Sequence, residues 1–204
     1  MSLGGERGRT IVHLLLEVVL IAVGVFLALW ANNWHENREH RAQAQAALHN
    51  FLEEMQANRQ TTQSNRTYHK TLRRELERFL ASKEPANGER FKKEVRFYGV
   101  RPVIFEHTAW DLALATQSLS YLKPQLAFDI SKVYTQQSAF QNLENSFLAS
   151  AYSPATLAAD DATGLATAME TYLGDVNVQE PEIISRYEKV IPEIKRALGN
   201  NNVP

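Results

Sequence analysis

IVHLLLEVVLIAVGVFLALWA, residues 11–31, decides the architecture. It holds 21 residues, of which only His13 and Glu17 are polar. As a helix, ~20 apolar residues span the ~30 Å hydrocarbon core of a bilayer. Two other readings compete. A buried helix of a soluble protein is rarely so uniformly apolar. A cleavable signal peptide fits Arg7 and Arg9 ahead of the run, but the far end, ALWANNWHENR, offers no good small-x-small cleavage site and runs straight into helix-forming sequence. Trp30 and Trp34 suit the aromatic belt of a membrane interface. The stretch therefore reads as a retained transmembrane helix behind a short tail, residues 1–10.

His13, Glu17, Gly24, Ala28 and Ala31 follow one another at steps of 4, 7, 4 and 3, which places them on one face of that helix. Gly24 and Ala28 make a small-xxx-small pair that lets a second helix approach closely. An ionisable group in hydrocarbon costs ~2.5–3.5 kcal/mol on insertion scales and normally faces a partner or water. Glu17 then has two main readings. It is protonated and hydrogen-bonded to His13 one turn away, or it lies in a contact with another helix, from a second copy or another membrane protein. A proton or ion path needs more than one helix. Orientation rests on Arg7, Arg9 and the α-amino group before the span against Arg38 and Arg41 after it. Acidic residues count for little in this balance, and the two arginines of the short tail place the N-terminus in the cytoplasm and the domain outside.

Outward from the span, no Gly or Pro occurs between Trp30 and Lys83, and Ala, Gln, Glu, Arg and Leu favour helix. A helical extension of the anchor is expected over residues 32–60, with Leu48, Phe51, Leu52 and Met55 as its apolar stripe. The polar TTQSN at 61–65 bends the helix or turns it back before a second stripe, Tyr68, Leu72, Leu76, Phe79 and Leu80. Residues 61–204 then form a helical bundle domain that the extension completes. Within it EPANGE (84–89) is a loop. EVRFYGVRPVIFE (94–106) is β-like but short and broken by Pro102, so it reads as an extended linker packed on the bundle. TAWD (108–111) reads as a capping box that opens a short helix to about Gln117. Pro124 starts a long helix to about Ala151. Ser153 and Pro154 open a turn or short helix, Asp161 caps a helix that ends near Gly174, and Pro181 starts the last one, kinked at Pro192 and stopped at Gly199. The fold class is all-α: a transmembrane helix continuing into a bundle of about five to six helices.

Composition narrows the function. Cysteine is absent, which removes disulfides and thiolate metal sites. Residues 31–110 carry 14 Lys/Arg against 10 Asp/Glu, net +4, and residues 111–204 carry 6 against 11, net −5. Two complementary faces of one bundle explain this, whereas a nucleic-acid partner needs a far stronger basic excess. HENREH (35–40) sets its histidines at i and i+5, not the i and i+4 that bring two rings to one zinc. A solvated stalk explains it better. His49, His69 and His107 are scattered, and no acidic run is spaced to join them. DDATG (160–164) lacks the alternating oxygen ligands of a calcium loop. Asn65-Arg66-Thr67 is a formal glycosylation sequon. No phosphate loop or nucleophile elbow occurs. No catalytic residue, cofactor site or metal site is expected.

LLEVVLIAVGVFLALWANNWHENR (15–38) resembles the start of an uncharacterised group of bacterial single-pass membrane proteins. These share an anchor with an early Glu, a mid-span Gly and an Asn-Asn-Trp-polar-Glu exit, matched here by Glu17, Gly24, Asn32, Asn33, Trp34 and Glu36. TAWDLALATQSLSYL (108–122) resembles a second segment of such proteins, with Gln117 where that segment carries Gly. The resemblance implies a protein of the bacterial envelope, in the inner membrane, with a helical domain of unknown function and no assigned activity. The expectation is a membrane-tethered interaction or scaffold module, facing the periplasm, whose partners are the bilayer and a second copy or another membrane protein. The alternative is a ligand-sensing helical domain that works with a separate signalling partner. A lipid-handling protein or an enzyme comes after both.

Overall fold

The computed structural model describes the backbone of residues 4–153 and 162–199, and the side chains of residues 16–153 and 162–199. Among these it has five α-helices and no strand. They are α1 (Gly4–Ala81), α2 (Gly88–Glu94), α3 (Thr108–Ala115), α4 (Pro124–Ala151) and α5 (Ala162–Gly199), with one 3₁₀ turn at Ser118–Tyr121. Contacts divide the chain into two compact units, Met1–Ala44 and Gln45–Pro204. The all-α class expected from the sequence is the class observed.

α1 does not turn back at Thr61. The hydroxyls of Thr61, Thr62 and Ser64 donate to carbonyls of their own helix, Ala57 (3.1 Å), Asn58 (2.8 Å) and Thr61 (2.8 Å). Such polar residues are satisfied inside a helix by this back-bonding. α1 ends at Ala81, where Arg90 of α2 serves its last turn: the guanidinium donates to the carbonyl of Phe79 and, at 2.7 Å, to that of Glu84. The Phe79 carbonyl is one of the last-turn carbonyls that lack a partner within the helix, and Glu84 lies in the loop that follows. α2 starts inside the expected 84–89 loop because Asn87 caps it, its side chain accepting the Arg90 N–H at 2.9 Å.

The core of the second unit is built by Phe51, Met55, Leu72, Leu76 and Phe79 of α1, Ile130, Val133 and Phe140 of α4, and Leu173, Ile183, Tyr187 and Ile194 of α5, all buried. Trp110 of α3 stacks on Tyr134 of α4 at 5.1 Å. Two sequence expectations fail here. The first is the break at Gly174 and Pro181: α5 runs through both, with Pro181 and Pro192 inside it. A proline inside a helix costs ~3 kcal/mol, yet the buried stripe Tyr172, Val176, Glu180, Ile183, Ile184 and Tyr187 passes Pro181 without a change of period, so packing outweighs it. The second is the capping box. Thr108 lies inside α3 and makes no cap; His107 is the flanking residue, without a side-chain cap bond. Glu54 of α1 takes that role from a distance, its carboxylate accepting the Ala109 N–H at 2.8 Å, as the positive end of a helix favours. The expected turn at Pro154, the Asp161 cap and the two aspartates of the DDATG segment lie outside the described residues, and its last three residues open α5.

Residues 95–107 are neither helix nor strand. This strap lies against the bundle, with Val95, Val100, Val103 and Phe105 buried and Tyr98 and Ile104 exposed. An extended segment without a sheet partner must satisfy its backbone elsewhere. Helix side chains do it. Glu75 accepts the Arg96 N–H at 2.9 Å, the Tyr68 hydroxyl accepts that of Tyr98 at 2.9 Å and donates to the Gly99 carbonyl at 2.7 Å, and Asn58 binds both N–H and carbonyl of Glu106 at 2.9 Å.

Candidate functional site

Two regions carry polar groups that demand an explanation: the anchor face and the middle of the strap.

On the anchor, every large apolar side chain from Leu16 to Trp30 is exposed, between 52 % (Val23) and 76 % (Phe26). α1 is the one helix among the described residues long and apolar enough to cross a membrane, and none of its apolar window is buried. Glu17, Ala28 and Ala31 are exposed, and a Cβ added at Gly24 would meet nothing within 4 Å. The helix brings these four residues to one face by spacing alone. The His13 side chain lies outside the described residues. Trp30 and Trp34 are 68 % and 55 % exposed, and the Arg38 guanidinium lies over the Trp34 ring at 4.9 Å from its centre. In the HENREH stretch His35 pairs with Glu39 at 3.1 Å on the surface. Among the described residues no group of three His, Cys, Asp or Glu is placed to hold a metal ion.

Under the strap the bundle buries His69 (α1), Glu144 (α4) and Glu180 (α5), each 0 % exposed. His69 Nε2 lies 3.1 Å from the carbonyl oxygens of both Val100 and Arg101. Both are acceptors only, so Nε2 carries its hydrogen and donates. Nδ1 faces Glu180 Oε1 at 2.6 Å, and that contact needs one proton between the two atoms, on the ring or on the carboxyl. Glu144 Oε1 accepts the Val103 N–H at 2.7 Å, with the Tyr172 hydroxyl at 3.5 Å. Phe147 stacks on Tyr172 at 4.1 Å and holds its ring in place. The second oxygens of Glu144 and of Glu180 are buried without a hydrogen-bond partner.

Burial pushes the Glu144 carboxyl up to about 7, and the neighbouring Glu180 pushes the same way; the Val103 amide, the charge of His69 and the Tyr172 hydroxyl oppose it only in part. The same burial and the adjacent Glu144 drive the Tyr172 hydroxyl well above its ordinary range. A second buried carboxylate, Glu54, is fully satisfied: it takes the Tyr134 hydroxyl at 2.6 Å on one oxygen and Ala109 on the other. The strap cluster keeps two carboxylate oxygens unused, as the amides of Gln136, Gln137 and Asn177 elsewhere in the bundle keep their oxygens. Its His69 ring and Glu144 carboxyl bind three backbone groups of the strap, the Val100 and Arg101 carbonyls and the Val103 N–H.

Sequence reasoning passed over these three residues because 111 positions separate His69 from Glu180. A signal was present. His69, Leu72 and Leu76 share a stripe on α1, Phe140, Glu144 and Phe147 one on α4, and Val176, Glu180 and Ile183 one on α5. A polar residue inside each core stripe marks a buried network. Gln117 has φ 55°, in the left-handed region where Gly is favoured.

Comparison of the chain with family models, with curated proteins and with solved structures finds no match to any of them.

Proposed function

We propose that the protein is a membrane-anchored helical interaction module, held in a bacterial inner membrane with its bundle in the periplasm. The observation that carries this reading is the exposure of the whole apolar face from Leu16 to Trp30 beside a second unit that has a core of its own. Such a stretch needs an apolar solvent, and a bilayer supplies it. In lipid, Glu17 is best placed against another helix, and Gly24 and Ala28 on the same face allow close backbone approach. The partner is a second copy or another membrane protein. The test is capture of the intact protein in mild detergent together with reporters fused after Pro204. Activity of a periplasm-only reporter and recovery of a membrane-protein partner or of a homo-oligomer support the reading. A reporter active only in the cytoplasm reverses the orientation, and a monomer that captures nothing removes the interaction.

The sensing alternative draws on an open groove of about 400 Å³ beside the strap, lined by Ser64, Thr67, Tyr68, Thr71, Arg96 and Tyr98 among others. A ligand seated there would raise the unfolding temperature of the bundle, and Tyr98→Ala would remove that rise.

A further inference from the structure

We propose that residues 100–105 of the strap are a proton-operated latch, closed over the bundle while Glu144 carries a proton and released when that proton leaves. The strap's fastenings divide into two kinds. Its ends are held by Glu75, Tyr68 and Asn58, and Phe105 by Gln141 at 3.4 Å. Its middle depends on His69 and Glu144, through Val100, Arg101 and Val103, with the Asn65 amide adding a contact to the Arg101 carbonyl at 3.3 Å. The middle is also where the backbone is least at ease. Gly99 has φ 91°, and Arg101, which is not glycine, has φ 53°, a conformation that persists only where its surroundings enforce it. His69 and the Arg101 guanidinium, seated over the Tyr68 ring at 4.3 Å, are those surroundings.

The groups facing Glu144 are His69 from α1, Glu180 and Tyr172 from α5, and the Val103 amide from the strap. When Glu144 is protonated, a neutral carboxyl accepts from Val103 and the buried site holds one charged acid fewer. When it ionises, the Val103 N–H bond and the neighbouring His69 favour the charge, but burial, the second acid Glu180 and one unpartnered oxygen outweigh them. Water relieves a buried ion so poorly satisfied, and the strap lies directly against this one through Val103. Its release frees Arg101 from its enforced conformation and uncovers Val103 and Phe105, buried at 0 % and 5 %, as a new apolar surface. The strap thereby gains a pH-dependent binding face.

The chain has no cysteine, so Ile104→Cys, at a position 71 % exposed, gives a single site for a nitroxide on the full-length protein in lipid nanodiscs. The expected result is an immobile label below pH 6 and at least a threefold larger mobile fraction at pH 8.5, with a midpoint close to 7. Adding Glu144→Gln should keep the low-pH spectrum at every pH. A label whose mobility does not change with pH overturns the proposal, and so does an unchanged transition in the Glu144→Gln chain. If that variant does not fold, infrared titration of the wild-type chain decides. A buried carboxylic-acid carbonyl band that disappears as pH rises through about 7 supports the latch, and its absence overturns it.

Discussion

His69 of α1 and Glu180 of α5 meet at 2.6 Å with neither side chain exposed, and the same imidazole holds two strap carbonyls. One ring therefore ties together two long helices and the only long non-helical crossing of the described bundle. Removing one partner of a buried pair strands the other. Glu180→Leu should destabilise the protein by about 3–5 kcal/mol in denaturant unfolding. Adding His69→Leu should cost much less than a second loss of that size, since the stranded group is then gone. Losses that simply add would show that the pair does not act as a unit.

Glu144 gives stability a definite dependence on pH. Its folded pKa, about 7, lies above the ordinary 4.5, so its contribution is complete below pH 4.5 and is lost as pH rises through 7. The difference corresponds to about 3 kcal/mol. Glu144→Gln should flatten this slope and make the variant the more stable protein at pH 8.5. Parallel stability curves for the two proteins between pH 4.5 and 8.5 would count against the burial argument.

Gln117 occupies a left-handed position, φ 55°, between α3 and the 3₁₀ turn. There the side chain costs about 1 kcal/mol that glycine does not. Gln117→Gly should raise the melting temperature by ~2–4 °C for a domain of this size. Gln117→Val should lower it.

The bundle should fold without the anchor, because its buried residues all lie beyond position 44. Residues 40–204 made alone should give a helical circular dichroism spectrum and one cooperative unfolding transition. A chain that stays unfolded would mean that the anchor is part of the core.

The helices were legible where period and propensity agreed: α4 begins at Pro124 and ends at Ala151 as its stripe and proline imply. Reading went astray where a distant contact overruled a local signal. Pro181 looks like a helix start, but Val176 and Ile183 on either side of it are both core residues, and burial kept the helix whole. Thr108 looks like a cap, but Glu54, 55 positions away from Ala109, reaches the helix end first. The anchor face follows from spacing within one helix, so it needs no tertiary contact to be read. The strap cluster was not legible, since three helices and a linker must meet before His69, Glu144 and Glu180 become neighbours.

The central claim is that the face of Glu17, Gly24 and Ala28 meets another helix in the membrane. Gly24→Ile or Ala28→Ile should push that helix away, and Glu17→Leu should weaken association by about 0.5–2 kcal/mol. The absence of cysteine permits the most direct measurement: Ala28→Cys on the predicted face and Phe26→Cys on the opposite face, each oxidised in native membranes. The account predicts a disulfide-linked dimer, or a crosslink to one membrane partner, from position 28 and none from position 26. Equal crosslinking at both positions, or none at either, would contradict it.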